Sequence, residues 1–121
     1  MQWAPYLILA AAILLFLVIR NSRQVSPKLA QQYLRDGALL IDVRSIREFN
    51  SGHLSRAINL PLDEIESTLP RRVKDKGTVL LLHCQGGVRS GAAQSRIKAL
   101  GYANAFDLGS YARAEKIVGG K

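Results

Sequence analysis

The chain has 121 residues, one cysteine and a formal net charge of +8, with seventeen Lys and Arg against nine Asp and Glu. That length holds one domain and no more. A lone cysteine excludes an internal disulfide and a Cys-rich zinc site, leaving only His53 and His83 as other soft ligands, so neither a metal nor a cofactor is expected.

The first element is a seventeen-residue run without a charge, Trp3 to Ile19. A bilayer core asks for about 20 apolar residues, with a usable range from about 17. Trp3 and Tyr6 suit the headgroup level, and Pro5 falls in the first turn, where its missing N–H costs little. A cleaved signal peptide would show a positive start and small residues at its end, and neither is present. A buried core helix would be amphipathic, whereas this run is apolar all round. The expectation is an uncleaved transmembrane anchor over residues 1–20, a linker over 21–25 and a domain over 26–117. Arg20, Arg23 and Lys28 follow the run and no basic side chain precedes it. The positive-inside rule then places a single-pass chain in the inner membrane with its C-terminal domain in the cytoplasm.

Ser26-Pro27 marks a helix start, and Asp36-Gly37 its end. Ala38 to Val43 reads as a strand buried on both faces. A helical turn is expected over Ser45 to Phe49, a short strand over Ala57 to Leu60 and a helix over Leu62 to Leu69. Thr78 to His83 is the second strong strand, followed by a helix over Ser90 to Leu100. Ala103 to Leu108 reads as another strand, and a weak helix follows Tyr111 before the chain frays at Gly119-Gly120. Strands alternating with helices predict a small α/β domain, a parallel sheet with helices on both faces. The basic residues are interspersed with acids, even in Arg71-Arg72-Val73-Lys74-Asp75-Lys76, and no aromatic–basic repeat appears. Nucleic acid is therefore not expected as a partner.

The candidate chemistry sits in Cys84-Gln85-Gly86-Gly87-Val88-Arg89-Ser90, after the second strong strand and before a helix. In a parallel sheet the working site lies beyond the carboxyl ends of the strands. Gly86 and Gly87 allow positive φ, which lets backbone amides turn into the loop's hollow. The following helix adds its positive end, and Arg89 adds a fixed charge. Together these favour a thiolate and any anion attached to it, making Cys84 a nucleophile for small anionic electrophiles. The bland alternative is a buried structural cysteine. His83 precedes Cys84 on the strand and so points to the opposite face, as a packing or hydrogen-bonding residue.

These residues resemble the rhodanese-like sulfurtransferase domain over roughly Ser26 to Tyr111. One block is Ile41-Asp42-Val43-Arg44, Glu48-Phe49, Gly52-His53-Leu54 and Ala57-Ile58-Asn59-Leu60-Pro61. The other is the loop, similar to the family's Cys-x-x-Gly-x-Arg-Ser, and Gly101-Tyr102 with Asp107-Leu108-Gly109 resembles a later segment. Two departures stand out: Arg56 where Gly is usual, and Ser110 where a second Gly is usual, with no Trp following. A shortened or differently packed C-terminal helix is therefore expected.

The resemblance implies that Cys84 takes a sulfane sulfur from a small anion, thiosulfate or a persulfide donor, and passes it to a thiol or protein acceptor. Gln85, Gly86, Gly87, Val88, Arg89 and Ser90 would form the binding loop, with Arg89 ordering it and holding the donor anion. Arg44 and Asp42 would support it; Arg44 is expected to pair with Glu48 and to help attract the anion. Four residues separate Cys84 from Arg89, and such six-residue loops go with sulfur chemistry in this family. Seven-residue loops fit phosphate, which disfavours a phosphatase or arsenate reductase. A membrane-anchored binding or regulatory module with little turnover is the main alternative.

Overall fold

The computed structural model describes residues 2–22 and 24–119. The elements run α1 (Ala4–Ser22), α2 (Pro27–Arg35), β1 (Leu39–Asp42), α3 (Ile46–Ser51), β2 (Ile58–Asn59), α4 (Ile65–Arg72), β3 (Leu80–His83), α5 (Val88–Ala99), β4 (Ala105–Gly109) and α6 (Tyr111–Val118). The four strands form one parallel sheet in the order β2-β1-β3-β4. The two central strands, β1 and β3, are also the two most apolar. Leu80 to His83 is buried throughout, as a central strand covered on both sides must be.

Side chains alternate across the sheet, and two cores result. Ile41, Leu80, Leu82 and Cys84 pack with Ile65 and Leu69 of α4 and with Ala93 and Ile97 of α5. Leu40, Leu81 and Leu108 pack with Ala30 and Leu34 of α2 and with Ala114 and Ile117 of α6. Ser26 caps α2, its side chain accepting from the Leu29 amide. Ser110 likewise caps α6, accepting from the Arg113 amide. The serine that departs from the family's glycine thus starts an eight-residue final helix.

Several boundaries differ from expectation. The helix expected over 62–69 is a 3-10 turn at Leu62–Glu64 followed by α4, which continues through Pro70 to Arg72. Burial of Ile65, Leu69 and Val73 outweighs the hydrogen bond that Pro70 cannot make. Within the expected linker, α1 runs on to Ser22, and Gln24 bridges to Asp107. The buried Val25 donates its amide to the Asp107 carbonyl at 3.0 Å, so this stretch lies along the β4 edge.

The N-terminal expectation needs correcting. Residues 4–22 are helical and the apolar side chains of α1 are largely exposed. Yet among the described residues no helix is long and apolar enough to cross a membrane. At about 1.5 Å per residue the charge-free run extends about 25 Å, short of a hydrocarbon core of about 30 Å. The flanking Arg23, the side chain of Arg20, and Gly120 and Lys121 lie outside the described residues.

Candidate active site

Cys84 follows the last residue of β3, and its amide donates to the Gly109 carbonyl at 3.1 Å. One residue is skipped in the pairing of β3 with β4, between Leu82–Asp107 and His83–Gly109, which brings that carbonyl into reach. The Cys84 side chain is buried beneath its own loop. Its Sγ accepts from the Gly87 amide at 2.9 Å and from the Ser90 amide at 3.3 Å. The Ser90 hydroxyl lies 3.5 Å from Sγ and within hydrogen-bond reach of the Gly87 and Gly109 carbonyls.

Gly87 makes this geometry possible. It is the N-cap of α5 with φ 99°, a left-handed conformation, and no side chain caps the helix. Two amides at the start of α5, those of the N-cap Gly87 and of Ser90, need no partner within the helix and are turned toward the sulfur. Gly86 does not adopt positive φ, so the cradle rests on one left-handed glycine and not on two. Helix α5 accordingly begins at Val88, two residues before the expected start.

The charged residues around the loop pair differently from expectation. Arg44 does not pair with Glu48. Its guanidinium grips Asp42, with Nε 3.0 Å from both carboxylate oxygens and Nη2 2.8 Å from Oδ2. Residues two apart on an extended strand share a face, which makes this the short-range choice. The same buried guanidinium donates to the Gly52 carbonyl at 2.7 Å and to Gln85 Oε1 at 3.1 Å. Glu48 instead takes Arg89 in a two-pronged ion pair, at 2.5 and 2.9 Å. Arg89 holds the Glu48 carboxyl at about 2, well below its ordinary value. Both guanidiniums at the site are thus matched by carboxylates. Gln85 and Gly86 are exposed, and Val88 is 71% exposed at the loop's crest.

His83 is buried on the opposite face, packed edge-on against Tyr111 with ring centroids 5.5 Å apart. Its Nδ1 lies 3.2 Å from the Cys84 carbonyl, and its Nε2 is 3.8 Å from Asp42 with no hydrogen-bond partner. Burial lowers its pKa, so it is neutral at pH 7 and faces away from the sulfur. His53 stacks on Phe49 and bonds that residue's carbonyl. Among the described residues no group of three or more His, Cys, Asp or Glu could hold a metal ion.

Two contributors escape sequence reasoning. The Tyr111 ring lies against the Arg44 guanidinium, 4.8 Å to centroid, and its amide donates to the Gln85 carbonyl at 3.1 Å. Asn59 donates to the Asp42 and Arg44 carbonyls, each at 2.9 Å, and so fixes the end of β1. An aromatic opening the last helix is the one signal for the first; the second falls within the block at 57–61, where no local pattern marks its role.

The arrangement is a sulfur nucleophile at a strand's carboxyl end, cupped by the amides of a six-residue loop. Residues 26–113 match the family model of the rhodanese-like domain. The chain belongs to the rhodanese-like family. It is 32% identical over 69 residues to the thiosulfate sulfurtransferase PspE of Escherichia coli K12, covering 57% of this chain and 66% of that protein. It is 29% identical over 75 residues to a tRNA uridine(34) hydroxylase of Erwinia tasmaniensis, but spans only 21% of that protein and 59% of itself. The human single-domain sulfurtransferase TSTD1 superposes with a TM-score of 0.65 at 28% identity, covering 78% of this chain and 96% of the human one. Kinship of this kind supports sulfur transfer as the general chemistry of this rhodanese-like chain.

Proposed function

We propose that this rhodanese-like chain carries sulfane sulfur as a persulfide on Cys84. The observation that carries the reading is the pair of amides, Gly87 and Ser90, aimed at Sγ. With thiosulfate as donor, the Cys84 thiolate attacks the outer sulfur, and a new S–S bond forms as the donor's S–S bond breaks. Sulfite leaves with the bonding electron pair, and the persulfide anion stays in the field of the loop amides. A thiol or protein acceptor then removes the outer sulfur and restores the thiolate, a two-step exchange on one nucleophile. Asp42 and Arg44 position Gln85, and Glu48 orients Arg89, so these groups shape the loop without taking part in bond making.

We also infer that α1 holds the body at the inner membrane from the cytoplasmic side. Residues 3–19 carry no charge, and Arg20, Arg23 and Lys28 follow them. An apolar helix that does not cross can still bury side chains at the headgroup–acyl boundary, with basic residues held near anionic headgroups. The full chain should sediment with membranes after alkaline carbonate washing, and release into the wash would end this part of the proposal.

The deciding experiment is intact mass of the full chain after exposure to thiosulfate, beside Cys84→Ser. A gain of one sulfur on the parent alone, reversed by cyanide, is expected. A parent that gains none from thiosulfate or from any persulfide donor would return the chain to the binding-module reading.

A further inference from the structure

A cavity lies between α1 and the thiol loop. Outside α1, the large hydrophobic residues left exposed among the described residues are Leu29, Ile46 and Val88. Two of these three flank the site: Val88, 71% exposed, crests the Cys84 loop, and Ile46, 56% exposed, opens the helix whose Glu48 holds Arg89. Beside Val88 a cavity of about 470 Å³ runs along Gly91 and Ala92 of α5 to Phe16 and Ile19 of α1, with Ser95 and the buried Asp107 also in its wall. That size is within the roughly 300–1,000 Å³ typical of small-molecule sites. The charge pattern points the same way, since Arg44 and Arg89 are each engaged by a carboxylate. A dianionic donor finds neither guanidinium unpaired, whereas an apolar group finds a wall.

We infer that the sulfur donor for Cys84 is a persulfide of an apolar low-molecular-weight thiol, its hydrocarbon substituent lying in the cavity between α5 and α1. The inference rests on the sulfur-transfer reading and names the substrate class of that site. In the step, the Cys84 thiolate attacks the outer sulfur of R–S–SH, a new S–S bond forms to Cys84 and the donor's own S–S bond breaks. RS⁻ departs with the electron pair, and the outer sulfur keeps its proton on Cys84. Charge and electrons balance with no further reagent. Small residues at 91 and 92 leave the cavity open, and Val88 covers the substituent where it enters.

The test uses the full chain in phospholipid nanodiscs, with thiosulfate and a series of n-alkyl persulfides from ethyl to hexyl. The rate of Cys84 persulfide formation is read by intact mass. Ala92→Phe fills the cavity. The ratio of parent to variant rates should stay near one for thiosulfate and ethyl persulfide. It should then rise by about fourfold for each further methylene buried, the equivalent of ~0.8 kcal/mol. Longer donors also concentrate in lipid, but equally for both proteins, so the ratio isolates the cavity. Phe16→Ala removes one wall from an exposed position, where folding is not at stake, and should raise the ratio in the same sense by less. A ratio flat across the series for both variants overturns the inference while leaving the persulfide mechanism standing. Failure of every donor to load Cys84 defeats the mechanism itself.

Discussion

β1 and β3 lie side by side and run the same way, with Asp42 opposite His83, and each hands the chain to a helix after a short turn. Their exits satisfy the backbone by opposite means. At the exit of β1 a capping box closes α3: Ser45 Oγ accepts the Glu48 amide at 3.2 Å, and Glu48 Oε1 accepts the Ser45 amide at 3.1 Å. Asp42 takes up Arg44, and Asn59 donates to the carbonyls of both. At the exit of β3 the capping position is Gly87, which has no side chain to offer, and the amides that open α5 serve the sulfur. Amides bonded to their own side chains hold structure in place, whereas amides left to a thiolate can stabilise charge.

Gly87→Ala strikes hardest at this contrast. An L side chain at φ 99° costs about 1–2 kcal/mol, and relief of that strain turns the 2.9 Å amide away from Sγ. Persulfide formation should fall by about 10²-fold, the usual cost of one misplaced oxyanion-type donor. Stopped-flow loading with a persulfide donor checks it; a loss below threefold would mean that the Gly87 amide does not serve the reaction.

Ser45→Ala tests the other exit. Loss of the cap should lower stability by about 1 kcal/mol in a urea titration, with the loading rate changed by less than threefold. A large rate loss with unchanged stability would erase the distinction between the two exits.

Glu48→Gln sharpens it through pH. Arg89 holds Glu48 at about 2 against an ordinary 4.5, so the folded state resists a proton that the unfolded state accepts. Its contribution is complete above about pH 4.5 and is lost as pH falls toward 2. Unfolding curves across that window should show a shallower decline for the variant. Parallel declines would mean that the ion pair adds nothing to stability. The smallest effect belongs to Gly86→Ala. Gly86 is exposed, lacks positive φ, and an added Cβ meets nothing within 4 Å. Loading and stability should both stay within about twofold of the parent, and a marked loss would show that the loop changes shape during turnover.

Much of this was legible in the sequence because it depends on local pattern. The apolar runs at 38–43 and 78–83 declared the central strands, and Ser26-Pro27 declared a helix start. The Gly-rich segment after β3 declared the thiol loop and its place beyond a strand end. Ion-pair partners were not legible. Glu48 and Arg89 are 41 residues apart and meet only because β1 and β3 are neighbours, while Asp42 captures Arg44 from two residues away. Local pattern also cannot tell which of two adjacent glycines turns left-handed. That is decided by where α5 must start in order to bury Ala93 and Ile97. The helix over the N-terminal run was legible as well, but among the described residues no helix is long and apolar enough to cross a membrane.

The Gly109 carbonyl receives the Cys84 amide and lies within reach of the Ser90 hydroxyl. The first residue of the thiol loop and the serine that follows its last are therefore pinned to one atom, at the end of a neighbouring strand. In geometric terms the chord of the loop is fixed at the strand end, while its arc is held separately, at Gln85 by Tyr111 and Arg44 and at Arg89 by Glu48. A residue inserted at the crest would lift Gln85 to Val88 outward and widen the hollow above the sulfur, leaving the feet of the loop in place. The size of group the hollow admits and the anchoring of the nucleophile are thus separate variables, and the first can change without disturbing the second.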